Sequence, residues 1–270
     1  MKLIDCFMYF DEDLVLDIRL NTLNNKVDKF IIVEATKNHA GKDKKLNFKI
    51  ENFSKFKNKI RYVVVDDIPV DVESPKKGWH ENHARDRFQR NAIERGYRDF
   101  SDEDLIMISD IDEIPNPKKF GEFNVKNKYA CFLQKNFQSK INLLNISNED
   151  WPGTKICKKK YLKSPQWLRD IKTKKKPFWK FFSKKIQLIK NGGWHFSFLK
   201  TPDSIKNKII SYSHQEHNKK EFTNTDLIKK RISLGEDLFQ RKIRYKKIDV
   251  DESFPEYIYK NKEMFKNWIT

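Results

Sequence analysis

Short apolar segments alternate with helical patterns through the first half of the chain, and this alternation limits the fold more than any other feature. The segments are rich in Ile, Val, Phe and Tyr, as expected of strands covered on both faces. Apolar spacing predicts a helix after the first segment and another over residues 80–97. Repeated strand, helix, strand order predicts an α/β sandwich with a mainly parallel sheet. The predicted strands are residues 3–10, 30–35, 60–66, 105–109 and 129–134.

The second half of the chain has weaker patterns. A short helix is predicted over residues 225–234, entered through Thr225 and closed by Gly235, and Gly192-Gly193 marks a turn. No clear linker divides the 270 residues, so a single domain over residues 1–270 is expected. Three widely spaced cysteines argue against a disulfide framework, and no signal-peptide core or membrane span is recognisable. A cytoplasmic location is therefore expected.

Positive charge is concentrated in one segment. The chain has a formal net charge of +18, and the segment from Lys155 to Lys190 holds fourteen Lys and Arg against one acid. Lysines there interleave with aromatic side chains, as in interfacial membrane segments. We expect peripheral contact with an anionic membrane through this segment, with a solvated lysine-rich loop as the alternative. Single-stranded nucleic acid would also suit such a segment, but no nucleic-acid motif is present.

Two carboxylates directly follow one of the buried strands. Asp110 and Asp112 come after the apolar segment 105–109, at the end of a strand where ligands bind in open α/β sheets. Two carboxylates one residue apart can hold Mn²⁺ or Mg²⁺ against a diphosphate. The same spacing occurs at three other places in the chain, so the preceding strand distinguishes this pair. A solvated turn at the strand end is the alternative.

Two further polar residues lie beside predicted strands or turns. His195 follows the Gly-Gly turn and can give a neutral imidazole to a metal held by carboxylates, or can pack as a half-buried histidine. Glu34 ends the second strand and can accept hydrogen bonds from a ribose or a base, or can face solvent. No Gly-x-Gly-x-x-Gly or Walker loop is present, which argues against dinucleotide-binding and P-loop enzymes.

Two histidine pairs have a spacing of three residues. Neither His80/His83 nor His214/His217 matches the helical His-Glu-x-x-His pattern of a zinc site. Glu216 lies between the second pair and is a candidate general base, with an exposed glutamate as the alternative.

Several short motifs follow one another between about residue 3 and residue 240. The most specific are Ser109-Asp-Ile-Asp-Glu-Ile-Pro115 and Gly193-Trp-His-Phe-Ser197. The others are Asp5-Cys-Phe-Met-Tyr-Phe followed by Arg19, Phe30-Ile-Ile-Val-Glu34 with His39-Ala-Gly41, Gln89-Arg90-Asn91, and Ser213-His-Gln-Glu216. In this order they resemble glycosyltransferase family 17, which includes the enzyme that adds bisecting N-acetylglucosamine to N-glycans.

The resemblance implies a GT-A fold, which is a single α/β/α sandwich with a mainly parallel central sheet, and a glycosyltransferase that uses a UDP-sugar. It implies that Asp110 and Asp112 bind Mn²⁺ or Mg²⁺ and, through the metal, the diphosphate of the donor, with His195 as a further ligand. The residues that it places around the nucleotide and its phosphates are Glu34, Arg85, Arg90 and Asp110.

The chemistry implied by the resemblance is inverting transfer of a sugar, with UDP-N-acetylglucosamine as the expected donor. A base removes the proton of the acceptor hydroxyl, and Glu216 is favoured over Glu113 for this role. The chain lacks the membrane anchor of animal members, so a surface glycan or lipid-linked glycan assembled in the cytosol is the expected acceptor. A nucleic-acid- or membrane-binding module without catalysis is the alternative function.

Overall fold

One curled sheet with helices on both faces forms the framework of the protein. The computed structural model describes residues 1–69, 81–173, 186–212 and 214–270. The strands are β1 (Leu3–Met8), β2 (Lys29–Ala35), β3 (Ile60–Val65), β4 (Leu105–Asp110), β5 (Glu113–Pro115), β6 (Tyr129–Gln138), β7 (Leu143–Asn145), β8 (Asp150–Lys158), β9 (Gln187–Ile189), β10 (Gly193–Ser197) and β11 (Tyr245–Lys247). The α-helices are α1 (Asp13–Leu23), α2 (Glu81–Asn91), α3 (Glu94–Tyr97), α4 (Pro165–Asp170), α5 (Pro202–Ser211), α6 (Lys220–Thr223), α7 (Thr225–Leu234) and α8 (Glu256–Lys260). Turns of 3₁₀ helix cover Ile50–Lys59, Pro117–Glu122, Val125–Asn127, Lys159–Tyr161, Gln215–His217 and Lys262–Trp268.

All five predicted strands and the predicted helices are present. Residues 81–97 form two helices, α2 and α3, rather than one, and position 80 lies outside the described residues. Helix α7 is capped by the side chain of Asn224, which accepts a hydrogen bond from the Leu227 N–H, so the cap lies one residue before the predicted Thr225. Gly235 ends that helix in the left-handed conformation, as predicted.

The α/β class is confirmed, but the prediction of a mainly parallel sheet is correct for only half of the strand pairings in the described residues. Strands β3, β2, β1 and β4 are neighbours in that order and all parallel, whereas β8 pairs antiparallel to β4 and to β6. Of the ten strand pairings in the described residues, five are parallel and five antiparallel. Only four residues separate β6 from β7 and β7 from β8. Such short links cannot make the crossover that parallel neighbours need.

The parallel strands are buried on both faces. Phe30 and Ile32 of β2 pack in one core with α1 and α8, while Ile31 and Val33 pack in a second core with Ile93 and its neighbours. This alternation along a strand explains why the segments are apolar throughout. All three cysteines are buried and free, as expected, and no helix within the described ranges is long and apolar enough to cross a membrane.

The turn between β9 and β10 brings the chain against β5. Gly193 has a φ of +140°, and a Cβ atom there would lie 2.1 Å from the carbonyl oxygen of Ile114. Only glycine fits this approach. Strand β10 is thereby held antiparallel to β5, with His195 opposite Glu113.

Candidate functional site

An open cleft of about 420 Å³ lies where several strands end. Its residues come from the carboxyl ends of β1, β2, β4 and β10, and helices α2 and α5 contribute its walls. Asp110, Asp112 and His195 all line it, so the three predicted metal ligands meet in one place. The cleft lies at the carboxyl edge of the parallel strands, which is the edge where ligands bind in open α/β sheets.

A buried arginine holds the turn that carries the two aspartates. Arg19 of α1 has no exposed surface, and its Nε and Nη2 donate to the Asp5 carboxylate at 2.7 and 2.6 Å. Its Nη1 donates to the carbonyl oxygens of Asp110, Ile111 and Glu113 at 3.2, 3.0 and 2.9 Å. One guanidinium therefore satisfies three carbonyls of the turn, while Asp5 neutralises its charge.

Asp110 faces two arginines. Arg90 of α2 donates to its Oδ1 at 2.9 Å, and Arg169 of α4 donates to its Oδ2 at 3.1 Å. Desolvation in the cleft would raise the pKa of Asp110, but the two guanidinium groups outweigh it and hold this pKa below its usual range. The carboxylate is therefore ionised at neutral pH.

Glu113 is an anchor beneath the cleft. It has no exposed surface, and its Oε1 accepts from Trp151 Nε1 and Arg169 Nη2, both at 2.8 Å. Its Oε2 accepts from Arg169 Nη1 at 2.6 Å and from the Asp110 N–H at 3.0 Å. Both oxygens are occupied and the residue is not among those lining the cleft, so this geometry suits positioning of Asp110 and Arg169.

The imidazole of His195 is oriented by a neighbouring amide. Asn136 donates through Nδ2 to the carbonyl of Asn148 at 3.3 Å, which turns its Oδ1 toward His195 Nδ1 at 3.1 Å. The Nδ1 then carries the proton, and Nε2 faces Asp112 Oδ1 at 3.7 Å. The ring also stacks on Trp151, with centroids 4.4 Å apart. This arrangement places Nε2 on the cleft side.

A lysine from α5 faces two carboxylates that line the cleft, Asp112 and Glu12. Lys208 Nζ lies 3.7 Å from Asp112 Oδ2 and 3.5 Å from Glu12 Oε1. Burial would lower the pKa of Lys208, but the neighbouring carboxylates outweigh burial and raise it, so the side chain is an ammonium ion. Lys208 was not predicted, because a single lysine in a helix has no spacing signal.

The donor atoms at Asp110, Asp112 and His195 suit a divalent cation by type. Two carboxylates and an imidazole nitrogen are ligands that Mn²⁺ accepts, and Nε2 of His195 faces Asp112. Within the ranges described above, no three His, Cys, Asp or Glu side chains are assembled as a ready metal cluster. Protein cations lie beside both aspartates in this structure: Arg90 and Arg169 beside Asp110, and Lys208 beside Asp112.

Glu34 supports a loop of the cleft instead of lining it. Its carboxylate is fully buried and accepts from the N–H groups of Asn47 and Phe48 at 2.8 and 3.0 Å, and from the Tyr62 hydroxyl at 2.8 Å. Lys44 forms an ion pair with it. Residues 37–39 of this loop line the cleft. Glu34 therefore reaches a ligand only through the loop that it holds.

The two predicted phosphate-binding arginines have different places. Arg90 lines the cleft, whereas Arg85 does not. Arg85 donates to Glu81 at 2.6 Å and to the carbonyl of His39 at 3.4 Å. It lies against Gly41, where a Cβ atom would be 3.0 Å from the guanidinium carbon. Arg85 therefore supports the same loop as Glu34.

Glu216 contacts a histidine that lines the cleft. Its Oε1 lies 2.8 Å from Nδ1 of His214, which lines the cleft, while Glu216 itself does not. Hydrogen bonds from the backbone and from His214 lower the pKa of Glu216 despite partial desolvation. The rings of His83 and His214 meet edge to face with centroids 5.2 Å apart. His80, the other member of the His80/His83 pair, lies outside the described residues.

The described part of the basic segment is tied into the domain. Lys155 is buried and donates to the carbonyl of Ile171 at 2.8 Å, and burial lowers its pKa to about 8. Lys158 pairs with Glu103 at 2.7 Å. Residues 174–185, which hold much of the predicted membrane-binding charge, lie outside the described residues.

Most of the chain matches one protein-family model. Residues 1–246 match the model described as glycosyltransferase family 17. This range includes every residue of the cleft. No curated protein matches the chain.

Proposed function

Since the chain belongs to glycosyltransferase family 17 and is a glycosyltransferase, we propose that it transfers a sugar from a UDP-sugar to a hydroxyl group of a glycan. The observation that carries this proposal is the turn at residues 110–113. Arg19 fixes it at the carboxyl edge of the sheet, beside an imidazole whose Nε2 faces Asp112.

In this proposal Asp112 and His195 hold Mn²⁺ or Mg²⁺, together with Asp110. When bound, the metal supplies positive charge for the departing diphosphate. Arg90 lines the cleft, and its buried Nε has no hydrogen-bond partner in the part of the chain that the structure describes, while its Nη atoms donate to Asp110, Asp86 and Gln166. This guanidinium positions Asp110 and adds positive charge beside the proposed diphosphate site.

The loop held by Glu34 and Arg85 forms the wall of the cleft that we propose contacts the nucleotide. Asn38 and His39 line the cleft there, and His39 Nε2 lies 3.0 Å from the Oε1 of Gln89 on α2. Amide and imidazole groups of this kind can hydrogen-bond the edges of a base and a ribose. The two buried residues contribute by fixing the loop.

Transfer with inversion is the proposed reaction course. The acceptor oxygen attacks the anomeric carbon, the bond to the UDP oxygen breaks, and a base takes the acceptor proton. Glu216 stays our candidate for this step, acting through His214, which lines the cleft. For Glu113 we propose a positioning role, because Arg169, Trp151 and the Asp110 N–H occupy its oxygens.

UDP-N-acetylglucosamine is the proposed donor, and a surface glycan or lipid-linked glycan the proposed acceptor. A thermal-shift panel of nucleotide-sugars, with Mn²⁺ or with EDTA, tests the function. We expect one UDP-sugar to stabilise the protein in Mn²⁺ and EDTA to abolish the effect. If no nucleotide-sugar stabilises the protein in Mn²⁺, the proposal fails and a binding module without catalysis is favoured.

A cytoplasmic location with peripheral contact to an anionic membrane is proposed through residues 155–190. Lys155 and Lys158 are engaged within the domain, so this contact depends on the remaining lysines of the segment. In liposome flotation we expect binding that requires anionic lipid and weakens with salt. Flotation that is independent of both lipid charge and salt would contradict the contact.

A further inference from the structure

Lys208 occupies a position with two opposing electrostatic requirements. Its ammonium group lies 3.7 Å from Asp112 and 3.5 Å from Glu12, at the carboxylates proposed to bind a metal. A divalent cation on Asp112 would be repelled by an ammonium ion so close to it. A diphosphate in the same cleft would attract both the divalent cation and the ammonium group of Lys208.

The surroundings of Glu12 allow Lys208 to leave. The Oε2 of Glu12 accepts from the N–H groups of Phe10 and Asp11 at 2.9 and 3.1 Å, and its Oε1 lies 3.2 Å from Lys200 Nζ. Without Lys208, Glu12 keeps these two hydrogen bonds and the neighbouring Lys200. Burial and then Lys208 lower the pKa of Lys200, so the departure of Lys208 favours the charged form of Lys200. The departure of Lys208 therefore does not leave the buried Glu12 carboxylate uncompensated, a state that would oppose this departure.

The helix that carries Lys208 belongs to a small unit beside the sheet. Ile205 and Ile209 of α5 pack with residues of α6, α7 and the following turn in an apolar cluster separate from the two main cores. Across the cleft from this unit lies α2 with Arg90. A long, flexible lysine side chain with three donors can change partners between such walls without moving the backbone.

We propose that Lys208 is an exchangeable counter-ion that couples metal binding to donor binding. Without donor, its ammonium group neutralises Asp112 and Glu12. When the metal binds Asp112, Lys208 turns to the diphosphate, whose negative charge lies between the two cations. The metal alone must compete with Lys208, whereas the metal and the diphosphate together satisfy every charge. This inference rests on the proposed function and adds a residue and a binding order to it.

The test measures two affinities by isothermal titration: Mn²⁺ alone, and UDP in saturating Mn²⁺. In Lys208→Gln we expect Mn²⁺ alone to bind several-fold more tightly, because its competitor is gone. We expect UDP to bind about tenfold more weakly, because a charge-assisted hydrogen bond is lost. Opposite changes in the two affinities cannot come from a general loss of folding.

Two further variants serve as controls. Lys206→Gln removes an exposed lysine of the same helix and should leave both affinities unchanged. Lys208→Arg keeps the positive charge and should stay close to the wild type in both titrations.

The outcomes separate this inference from the proposed function. If Lys208→Gln binds Mn²⁺ alone no more tightly than the wild type, the exchange is overturned, even where UDP binding weakens. Unchanged UDP affinity overturns it equally. A wild-type protein that binds neither UDP nor any UDP-sugar in Mn²⁺ overturns the proposed function itself, whatever the variants do.

Discussion

Replacing Arg19 by methionine is expected to lower the free energy of unfolding by about 3–5 kcal/mol. The substitution leaves the Asp5 carboxylate buried without its cation and removes the donor of three carbonyl groups in the turn at residues 110–113. Urea denaturation followed by circular dichroism measures the loss. The turn also loses its support, so metal-dependent donor binding should weaken in the folded fraction.

A double variant distinguishes the ion pair from the packing of the side chain. In Arg19→Met with Asp5→Leu, the buried charge is gone as well, and much of the lost stability should return. Arg87→Met provides a matched control, because Arg87 pairs with Asp170 at 2.8 Å with both side chains partly exposed. That change should cost less than about 1 kcal/mol. A loss this small for Arg19→Met would contradict the role of Arg19.

Replacing Asp112 by alanine is expected to weaken metal-dependent binding of the UDP-sugar by at least about 100-fold. The carboxylate faces both His195 Nε2 and Lys208 Nζ, so its loss removes the proposed metal ligand at the centre of the cleft. Titration of the donor into the variant, in Mn²⁺ and in EDTA, measures the effect. The fold should persist, because the Asp112 carboxylate makes no short hydrogen bond within the described residues, and its carbonyl, which accepts from the Phe196 N–H at 2.9 Å, is kept in the variant.

Asp102→Ala is the control for this substitution. Asp102 belongs to another Asp-x-Asp pair, is exposed, and contacts Lys159 at 3.4 Å away from the cleft. Its loss should leave donor binding unchanged. If Asp112→Ala binds the donor with full metal-dependent affinity, Asp112 is not part of the metal site.

The parallel half of the fold could be predicted because its signals are local. Apolar segments such as residues 30–35 and 105–109 are buried on both faces, so composition alone distinguishes them. The place of Asp110 and Asp112 followed from the strand before them. The antiparallel half was missed because β7 (143–145) is only three residues long and the nine-residue strand β8 (150–158) is interrupted by Pro152 and Gly153, so neither shows a clear strand pattern.

The residues that organise the site were harder to predict. Arg19 bonds to carbonyls about 90 positions later in the chain, and Arg169 reaches Asp110 and Glu113 across almost 60. Such pairings depend on the finished fold. One signal was available for Arg19: it is a charged residue between the buried Ile18 and Leu20 on α1, where only a paired charge is tolerated. Arg19 also belongs to one of the motifs that resemble the family, but the motif alone does not indicate what Arg19 does.

The same limit explains the roles of the predicted glutamates. Glu34, Glu113 and Glu216 were chosen as acids near strand ends or loops. In the structure, Glu34 holds a loop, Glu113 holds Arg169, and Glu216 holds His214. The sequence indicates where carboxylates lie along the chain, whereas hydrogen-bond partners decide whether they face a ligand.

The central claim is that the turn at residues 110–113 binds a metal and a nucleotide diphosphate in one cleft. Crystals grown with Mn²⁺ and UDP, with anomalous diffraction data collected for manganese, test it most directly. The account predicts an anomalous peak in contact with Asp112 and His195, with the diphosphate beside it and Lys208 turned toward the phosphates. A manganese peak elsewhere, or UDP bound outside this cleft, would contradict it.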